Sequence, residues 1–346
     1  MPDIAIIGGG FIAQLAHIGP LAALSNVRLT ALAEPDPGLL EKVGRAHGFK
    51  KSYSDYHDLL DTDDFDALIV CLPLKAQELV VREALAKGKP VLSEKPMALT
   101  LDAAQSLAGV ADKARASWTI GFMKRHDPGV QQFREMLQDP ATAQRLGQVR
   151  HVAMRDFCAR YGVNPPDHFR REGSRAVRYP EAADTPEWLP DELGDGYRYC
   201  LNVMSHDVNL LRFLFGEDLA LERFSADPAN TQRASFAVGD VPIDLVVAHV
   251  WTGVWDQQID VTFANGRLSL IIPSPLNVNA YARIECRDHN GVQEVEVVTG
   301  DTHWAFARQA QNFVAGLENG SDSSNKPLSC LQDMKLIDAM WRSVVA

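Results

Sequence analysis

The first residues whose spacing suggests chemistry are the glycines that follow a short apolar run near the start of the chain. Residues 3–7 lead directly into Gly8-Gly9-Gly10-Phe11-Ile12-Ala13. In such a turn Gly8 permits the tight bend, Gly10 lets the backbone approach a pyrophosphate, and the small Ala13 lets the next helix lie close on its strand. The free N–H groups at the start of that helix then face the phosphates. The run predicts a dinucleotide site, although the same spacing also occurs in chance turns.

An acidic residue supports the dinucleotide prediction. A second predicted strand, residues 27–33, ends at Glu34, at about the spacing from which a carboxylate reaches the adenosine ribose. The carboxylate would accept hydrogen bonds from the ribose hydroxyls and repel a 2′-phosphate. No arginine lies in Glu34-Pro35-Asp36-Pro37 to bind that phosphate. The sequence therefore favours NAD over NADP.

Lys95 is the first candidate catalytic residue. It follows a short predicted strand, residues 90–93, and stands between Glu94 and Pro96. An ammonium there can hydrogen-bond the reacting oxygen of a substrate and stabilise alkoxide character while a hydride leaves. The alternative interpretation is a surface lysine paired with Glu94.

His206 is the second candidate. It lies on a predicted helix, residues 201–215, that ends at Gly216, and Asn202, His206 and Asn209 recur at i, i+4 and i+7 on one polar face. Imidazole is a suitable base for a substrate hydroxyl. The alternative interpretation is a structural histidine of the core.

The elements that position these residues change type along the chain. The first third alternates predicted strands (3–7, 27–33, 65–71, 90–93, 118–122) with predicted helices (37–46, 78–87, 101–113). Repeated β-α units of this length predict a doubly wound parallel sheet, whose ligands lie at the carboxyl ends of the strands. Leu72-Pro73, Glu94-Lys95-Pro96 and Met123-Lys124-Arg125 are therefore expected at one cleft.

From about residue 147 the pattern becomes that of an antiparallel sheet. Strands are predicted at residues 148–160, 219–225, 234–238, 243–254, 259–263, 267–272, 281–287 and 292–298, with Asn265-Gly266 as a hairpin turn, and helices at 306–318 and 330–345. The fold class predicted is α/β. A Rossmann domain at residues 1–122 precedes an α+β domain at 123–346 for substrate binding and oligomerisation, and the last helix is a candidate to pack on the first domain.

Composition excludes several classes of partner. The chain has 346 residues, a formal net charge of −11 and five dispersed cysteines without a C-x-x-C pair. The acidic balance argues against nucleic acid and anionic membranes, and no basic leader or membrane span is evident. The cysteine pattern fits a reducing compartment without a zinc site or disulfides. We therefore expect a cytoplasmic protein without a structural metal.

Residues 161–199 are rich in proline, arginine and acids and show no regular period. A segment of this kind is typical of a lid, a binding loop or disorder, and as an ordered element it would cover the substrate or a neighbouring subunit. An ordered insertion without a substrate role is the alternative. Its arginines could bind an acidic substrate, but neighbouring acids nearly balance them.

Four runs resemble, in the same order, the Gfo/Idh/MocA oxidoreductases: residues 8–13, 93–98, 121–128 and 205–216. The resemblance implies NAD(P)-dependent oxidation or reduction of a sugar, cyclitol or related polyol. It also implies a homodimer or homotetramer built on the second-domain sheet. Catalytic roles fall on Lys95, His206 and Asn202, and substrate contacts on Lys95, Arg125, Asn202 and His206. The expected cofactor contacts are Gly8, Gly10, Phe11, Ile12, Glu34, Leu72, Pro73, Gln77, Glu94 and Lys95.

The chain departs from the family pattern at three positions. Asn202 replaces an aspartate four residues before the histidine, Asn209 replaces one three residues after it, and Gln77 replaces a histidine. A neutral amide can orient an imidazole but cannot stabilise an imidazolium as a carboxylate does. Asp207 is about 100° round the helix from His206 and is a poor substitute.

Three functions stay open at this point. The first is an NAD-dependent dehydrogenase or reductase acting on a sugar or cyclitol. The second keeps tightly held NAD and uses it for redox-assisted elimination or group transfer. The third is a non-catalytic dinucleotide sensor, which the missing carboxylate at Asn202 would explain.

Overall fold

The computed structural model describes residues 1–159, 184–227, 231–250, 255–278, 280–300, 302–319 and 326–345. The chain forms two compact units. Unit 1 comprises Met1–Phe122 and the described parts of residues 184–186 and Gln309–Met334, and unit 2 comprises the described parts of residues 123–159, Glu187–Arg308 and 335–345. Most of the arginine-rich segment predicted as a loop lies outside the described residues.

Unit 1 is built on a six-stranded sheet with the strand order β3-β2-β1-β4-β5-β6. All of its pairings are parallel. The apolar strands are buried on both faces, as a parallel sheet covered by helices requires. This is the predicted doubly wound architecture. The strands are β1 (Asp3–Ile7), β2 (Arg28–Ala33), β3 (Lys51–Tyr53), β4 (Ala67–Val70), β5 (Val91–Ser93) and β6 (Trp118–Ile120).

Helices separate these strands. They are a π-helix at Ala13–Ile18, α1 (Gly19–Ala22), α2 (Pro37–His47), α3 (Tyr56–Thr62), α4 (Leu74–Ala86) and α5 (Leu101–Ala114). Asp36 and Thr100 cap α2 and α5 by accepting N–H groups from their first turns. Helix α4 begins four residues before its predicted start, because Pro73, three residues after the end of β4, provides its N-terminus. The short β3 and α3 were not predicted.

Unit 2 is built on an eight-stranded sheet with the order β14-β13-β12-β11-β7-β10-β9-β8. Its pairings are antiparallel except for β7 with β10, which run parallel. The predicted, largely antiparallel sheet is confirmed. The strands are β7 (Val149–Ala159), β8 (Ala220–Ala226), β9 (Thr231–Val238), β10 (Val241–Val250), β11 (Asp256–Phe263), β12 (Gly266–Ile272), β13 (Arg283–Asp288) and β14 (Gly291–Val295).

The hairpin between β11 and β12 differs from its prediction by one residue. Phe263 pairs with Gly266, so the two turn residues are Ala264 and Asn265 and not Asn265-Gly266. Gly266 serves close packing instead, because a Cβ there would lie 2.5 Å from the carbonyl oxygen of Arg287. The Asn-Gly pair therefore predicted the hairpin correctly, although Gly266 is a strand residue and not a turn residue.

The helices of unit 2 lie before and within the sheet sequence. They are a 3₁₀ turn at Met123–His126, α6 (Pro128–Gln138), α7 (Pro140–Leu146), a 3₁₀ turn at Asp191–Leu193, α8 (Gly194–Tyr199), a π-helix at Cys200–Met204 and α9 (Ser205–Phe215). The helix predicted at residues 201–215 is thus the end of a longer helical run that begins at Gly194. Helices α6 and α7 were missed, although each begins with an Asp-Pro pair whose aspartate caps it.

Two further helices end the chain, α10 (Ala305–Asn319) and α11 (Pro327–Val345). Phe313 and Val314 of α10 pack in the unit 1 core with Ile4, Leu32 and Ile69. In the described part of the chain, no helix is long and apolar enough to cross a bilayer. The same part of the chain shows no group of three or more side chains suited to hold a metal ion.

Candidate active site

The glycine turn of unit 1 has the geometry expected of a dinucleotide site. Gly8 has a φ of +99°, and a Cβ there would lie 2.1 Å from the carbonyl oxygen of Cys71. Around a Cβ placed on Gly10 there is open space within 4 Å. The amide N–H of Gln14 bonds to the Gly10 carbonyl, so the helix starts at this turn. Gly8 is therefore required by close packing, and Gly10 leaves room for a phosphate group to approach.

Glu34 holds this turn from one side. Its carboxylate is buried and accepts hydrogen bonds from the backbone N–H of Gly9 at 2.8 Å and of Asp36 at 3.1 Å. From the other side, the Gln14 side chain donates to the Gly9 carbonyl at 2.7 Å. The Glu34 carboxylate is thus fixed beside the turn, and its contact with the ribose stays a prediction.

A second cluster fixes the residues around Lys95. His17, on the π-helix, contacts the Glu94 carboxylate at 2.8 Å, and the Lys95 backbone N–H donates to Glu94 at 3.2 Å. The Gln77 amide donates to the backbone carbonyls of Glu94 and Pro96. Gln77 therefore anchors the Glu94-Lys95-Pro96 segment, in which the Lys95–Pro96 peptide is cis. His17 carried no signal in the sequence.

The remaining predicted cofactor contacts lie close to the same turn. Leu72 is buried, and its Cδ2 lies 3.0 Å from where a Cβ on Gly8 would be. Pro73 stands at the start of α4. Phe11 and Ile12 form the first helical residues after the glycines. The cofactor roles of these residues stay predictions.

Unit 2 contains a pocket of about 230 Å³ that includes two of the predicted catalytic residues. Its polar lining consists of Lys124, Asp156, Tyr199, Asn202, His206 and His249. The π-helix brings Asn202 to this pocket and α9 brings His206, and Val203 also lines it. The polar lining of a pocket of this size suits a small ligand with several hydroxyl groups.

The third residue of the predicted polar face lies elsewhere. Asn209 is buried and accepts a 2.6 Å hydrogen bond from Arg125, whose guanidinium also donates to the Asn209 carbonyl at 3.0 Å. The Arg125 guanidinium lies 5.2 Å from the ring centre of Phe213. These contacts join helix α9 to the turn that follows β6, and Arg125 is not among the residues that line the pocket. Its neighbour Lys124 lines the pocket instead.

Lys124 stands at the centre of a buried charged cluster. Its ammonium lies 3.5 Å from Asp156 and 3.8 Å from Asp207, and Gln257 donates to Asp207 at 2.7 Å. Burial and the neighbouring Asp156 charge hold the pKa of Asp207 well above its ordinary value. Burial also raises the pKa of Asp156, against the opposing attraction of Lys124.

Two members of this cluster were missed or discounted in the sequence. Along β7 the buried face carries Val152, Met154, Asp156 and Cys158, so Asp156 stood out as an acid in an apolar alternation. Asp207 was discounted because it is rotated away from His206. Asp207 is not among the residues that line the pocket, and it faces Lys124 and Asp156 on neighbouring elements. The pattern of one helix cannot indicate such contacts with other elements.

Tyr199 and Cys158 form another part of the pocket wall. The Tyr199 hydroxyl lies 3.3 Å from the Cys158 sulfur. Burial raises the pKa of both groups. The wall therefore offers a neutral phenol and a neutral thiol at physiological pH.

Comparisons with known proteins agree with this arrangement. Residues 3–122 match the family model of the Gfo/Idh/MocA oxidoreductases, described as "Oxidoreductase family, NAD-binding Rossmann fold". An inositol 2-dehydrogenase of Rhizobium meliloti is 22% identical over 98% of this chain and 96% of that protein. An inositol 2-dehydrogenase of Burkholderia vietnamiensis is 28% identical over 92% of this chain and 87% of that protein.

Two solved structures share the fold. KijD10, a 3-ketoreductase from Actinomadura kijaniata in complex with NADP and TDP-benzene, has a TM-score of 0.76 at 20% identity, over 99% of this chain and 97% of that chain. An oxidoreductase from Agrobacterium radiobacter in complex with NAD+, L-tartaric acid and magnesium has a TM-score of 0.73 at 16% identity, over 99% and 96%.

The Rossmann sheet, the glycine turn and these matches define an NAD(P)-binding oxidoreductase of the dehydrogenase and reductase type, which acts on CH–OH groups. Residues 3–122 match the NAD-binding domain of the Gfo/Idh/MocA oxidoreductases, and the resemblance noted in the sequence is confirmed. The two structural neighbours hold different dinucleotides, so the fold does not distinguish NAD from NADP.

Proposed function

We propose that this protein is an NAD-dependent dehydrogenase that transfers a hydride between the nicotinamide and a sugar, cyclitol or related polyol. The observation that carries the proposal is the unit 2 pocket, where His206 and Asn202 lie with Lys124 and Asp156. Donors and acceptors of this mixture suit a ligand with several neutral hydroxyls. The inositol 2-dehydrogenases among the relatives support the same substrate class.

The chemistry assigned to the chain is proton transfer and charge stabilisation. NAD, when bound, supplies the hydride acceptor. His206 takes the hydroxyl proton as the C–H bond gives up its hydride and the C–O bond becomes a carbonyl. The role assigned to Lys95 is a hydrogen bond that stabilises alkoxide character on a reacting oxygen. Asn202 orients the ligand or the imidazole. In the reducing direction the same groups return the proton.

A panel assay tests the proposed function. Sugars, inositols and sugar acids are supplied with NAD, and NADH is followed by its absorbance. We expect steady NADH formation with at least one neutral polyol. Product formed while the cofactor stays bound and unconsumed would instead support redox-assisted elimination or group transfer, and NAD binding without turnover would support a sensor.

The cofactor preference rests on Glu34. A carboxylate fixed at the glycine turn lies where a 2′-phosphate would meet a like charge, and one such pair at 4 Å costs about 1 kcal/mol in water and about 4 kcal/mol at an effective dielectric constant of 20. We expect NAD to bind roughly tenfold or more tightly than NADP. Titration of both cofactors by calorimetry measures the ratio, and equal or tighter NADP binding would contradict it.

The matched variant is Glu34→Gln. It keeps an oxygen that can accept the Gly9 N–H but removes the charge, so the NAD preference should narrow while the turn stays intact. Glu34→Ser combined with an added arginine nearby should narrow it further. A Glu34→Gln protein with an unchanged ratio would show that another feature sets the preference.

We also propose a homodimer or homotetramer built on the open face of the unit 2 sheet. On that face Ala153 and Phe157 of β7 alternate with His151 and Arg155, and Val246 of β10 lies opposite Arg155. All five side chains are only partly buried. From the sequence alone, Trp251 and Trp255, at the end of the strand predicted from residue 243, are also candidates for this face. They do not support the proposal, because Trp251 lies outside the described residues and Trp255 lines the pocket.

Light scattering at micromolar concentration tests the assembly. We expect a mass of two or four chains, and Val246→Glu should shift it toward the monomer because it places a charge in the interface. Leu328→Glu is the matched control. Leu328 lies on α11 in unit 1 and is 74% exposed, so this change should leave the mass unchanged. A monomeric wild-type protein would contradict the proposal.

We also propose a cellular compartment for the protein and a function for each domain. All five cysteines are free thiols, which supports a reducing, cytoplasmic setting. We assign nucleotide binding to residues 1–122 and substrate binding with oligomerisation to residues 123–346.

A further inference from the structure

We propose that Asp207 carries a proton in the resting protein and acts as a positioning residue. It keeps the Asp156 carboxylate paired with the Lys124 ammonium, and this pair, which has no net charge, forms a hydroxyl-binding floor of the unit 2 pocket. The proposal deepens the proposed function and rests on it for the identity of the ligand. The protonation of Asp207 itself does not depend on any substrate.

The buried cluster contains one cation and two carboxyl groups. Asp156 and Asp207 are 0% exposed and Lys124 is 6% exposed. One ammonium serves two carboxyl groups, at 3.5 Å and 3.8 Å, both longer than a normal hydrogen bond. With all three groups ionised, a net negative charge would be buried, which is costly. One proton on the carboxyl pair removes that charge.

The hydrogen bonds of the cluster indicate where the proton lies. Asp207 Oδ1 accepts from Gln257 at 2.7 Å. Asp207 Oδ2 and both Asp156 oxygens are buried without a hydrogen-bond partner among the described residues. A proton on Asp207 Oδ2 converts one of these acceptors into a donor next to the ionised Asp156. Asp156, which lines the pocket while Asp207 does not, then keeps its charge for Lys124 and the ligand.

The surrounding groups favour the same assignment. Asp207 is faced by Lys124 from the turn after β6, by Asp156 from β7 and by the neutral Gln257 from β11, and Cys200 lies on its own helical run. Burial raises the pKa of both carboxyl groups and Lys124 lowers both, but the neighbouring Asp156 raises the pKa of Asp207 whereas Asp207 lowers that of Asp156. Asp256 on β11 raises the pKa of Asp156, but by less than Lys124 lowers it.

The consequence for the pocket is a floor with one carboxylate and one ammonium and no net charge. Such a pair can accept from one ligand hydroxyl and donate to another. Because Asp156 offsets Lys124, the floor does not present an uncompensated cation to a carboxylate or phosphate. The cluster therefore suits neutral polyols.

The first test uses the protein without substrate. Infrared spectra of protein labelled with ¹³C-aspartate should contain the carbonyl band of a protonated aspartic acid at pH 7.5, and Asp207→Asn should abolish it. Asp127 is another buried aspartate, and burial raises its pKa only to about 6, so it is ionised at pH 7.5. A wild-type protein without the band would overturn the proposal, even if Asp207→Asn failed to fold.

The second test uses folding stability. Asp207 is ionised in the unfolded chain above about pH 4 and protonated in the folded chain, so rising pH favours unfolding through this group. From pH 5 to 7, the unfolding constant of the wild type should rise relative to that of Asp207→Asn by about tenfold per pH unit. Parallel pH profiles for the two proteins would overturn the proposal.

The third test addresses the positioning role. Asp207→Ala should lower kcat/KM for myo-inositol, or for the best polyol of the panel, by about tenfold or more, mainly through KM. Asp207→Asn should restore most of that loss at pH 7 because it keeps a neutral donor beside Asp156. An Asp207→Asn protein as impaired as Asp207→Ala would overturn the role. If no polyol is oxidised by the wild type, the proposed function fails, while the first two tests still decide the state of Asp207.

Discussion

Lys95→Ala is expected to lower kcat by about a hundredfold or more, the usual scale for the loss of a positioned proton-transfer group. The ammonium follows β5 on a segment that Glu94 and Gln77 hold through backbone bonds. Truncation of its side chain leaves those bonds intact. We therefore expect NAD affinity, measured by calorimetry, to change by less than about threefold while the NADH absorbance assay records the loss.

A matched lysine in the same unit controls for a general effect of charge. Lys87 lies at the surface near Asp61, at 3.4 Å, and Lys87→Ala should leave turnover unchanged. Lys95→Arg keeps the charge but alters the geometry and the proton affinity, so it should recover only a small part of the activity. Near-normal turnover in Lys95→Ala would remove this residue from the mechanism.

His206→Ala is expected to have an effect of similar size on kcat, again about a hundredfold or more. His206 lines the unit 2 pocket and the alanine variant deletes the proposed base without removing the helix that carries it. His57→Ala is the control, because His57 pairs with Asp55 at the surface of unit 1. Unimpaired turnover in His206→Ala would contradict the assignment.

Asn202→Asp separates two roles for the residue one helical turn before His206. If Asn202 orients the imidazole, the new carboxylate should raise the pKa of His206 and shift the pH profile of kcat/KM upward. If Asn202 binds a substrate hydroxyl, the change should chiefly raise KM and leave the profile in place. A protein unchanged in both quantities would place position 202 outside the reaction.

Much of the fold was predictable because its signals are local. The alternation of apolar strands with capped helices predicted the parallel sheet of unit 1, and the period-2 pattern predicted the sheet of unit 2. The glycine turn and Glu34 were identified because their chemistry depends on spacing along the chain. Short elements such as β3 and α3 were missed, since three to seven residues carry too little periodicity.

The site was less predictable because it depends on contacts between elements distant in sequence. Asn202 and His206 were placed together because they share one helical run, whereas the π-helix and the pairing of Asn209 with Arg125 break the simple period that linked all three. Asp156 lies on a strand, Asp207 on a helix and Lys124 on a turn, and only the tertiary fold brings the two carboxyl groups to the Lys124 ammonium. A helical wheel could not have found that cluster.

The central claim is that the protein moves a hydride from a CH–OH carbon of a polyol to NAD, and a deuterium-transfer experiment tests it most directly. The best polyol of the panel, deuterated at the carbon that is oxidised, is incubated with NAD and the wild-type protein, and the recovered cofactor is analysed by mass spectrometry. We predict NADH that carries one deuterium, in an amount equal to the carbonyl product. Carbonyl or elimination product accompanied by unlabelled, unconsumed NAD would contradict the account.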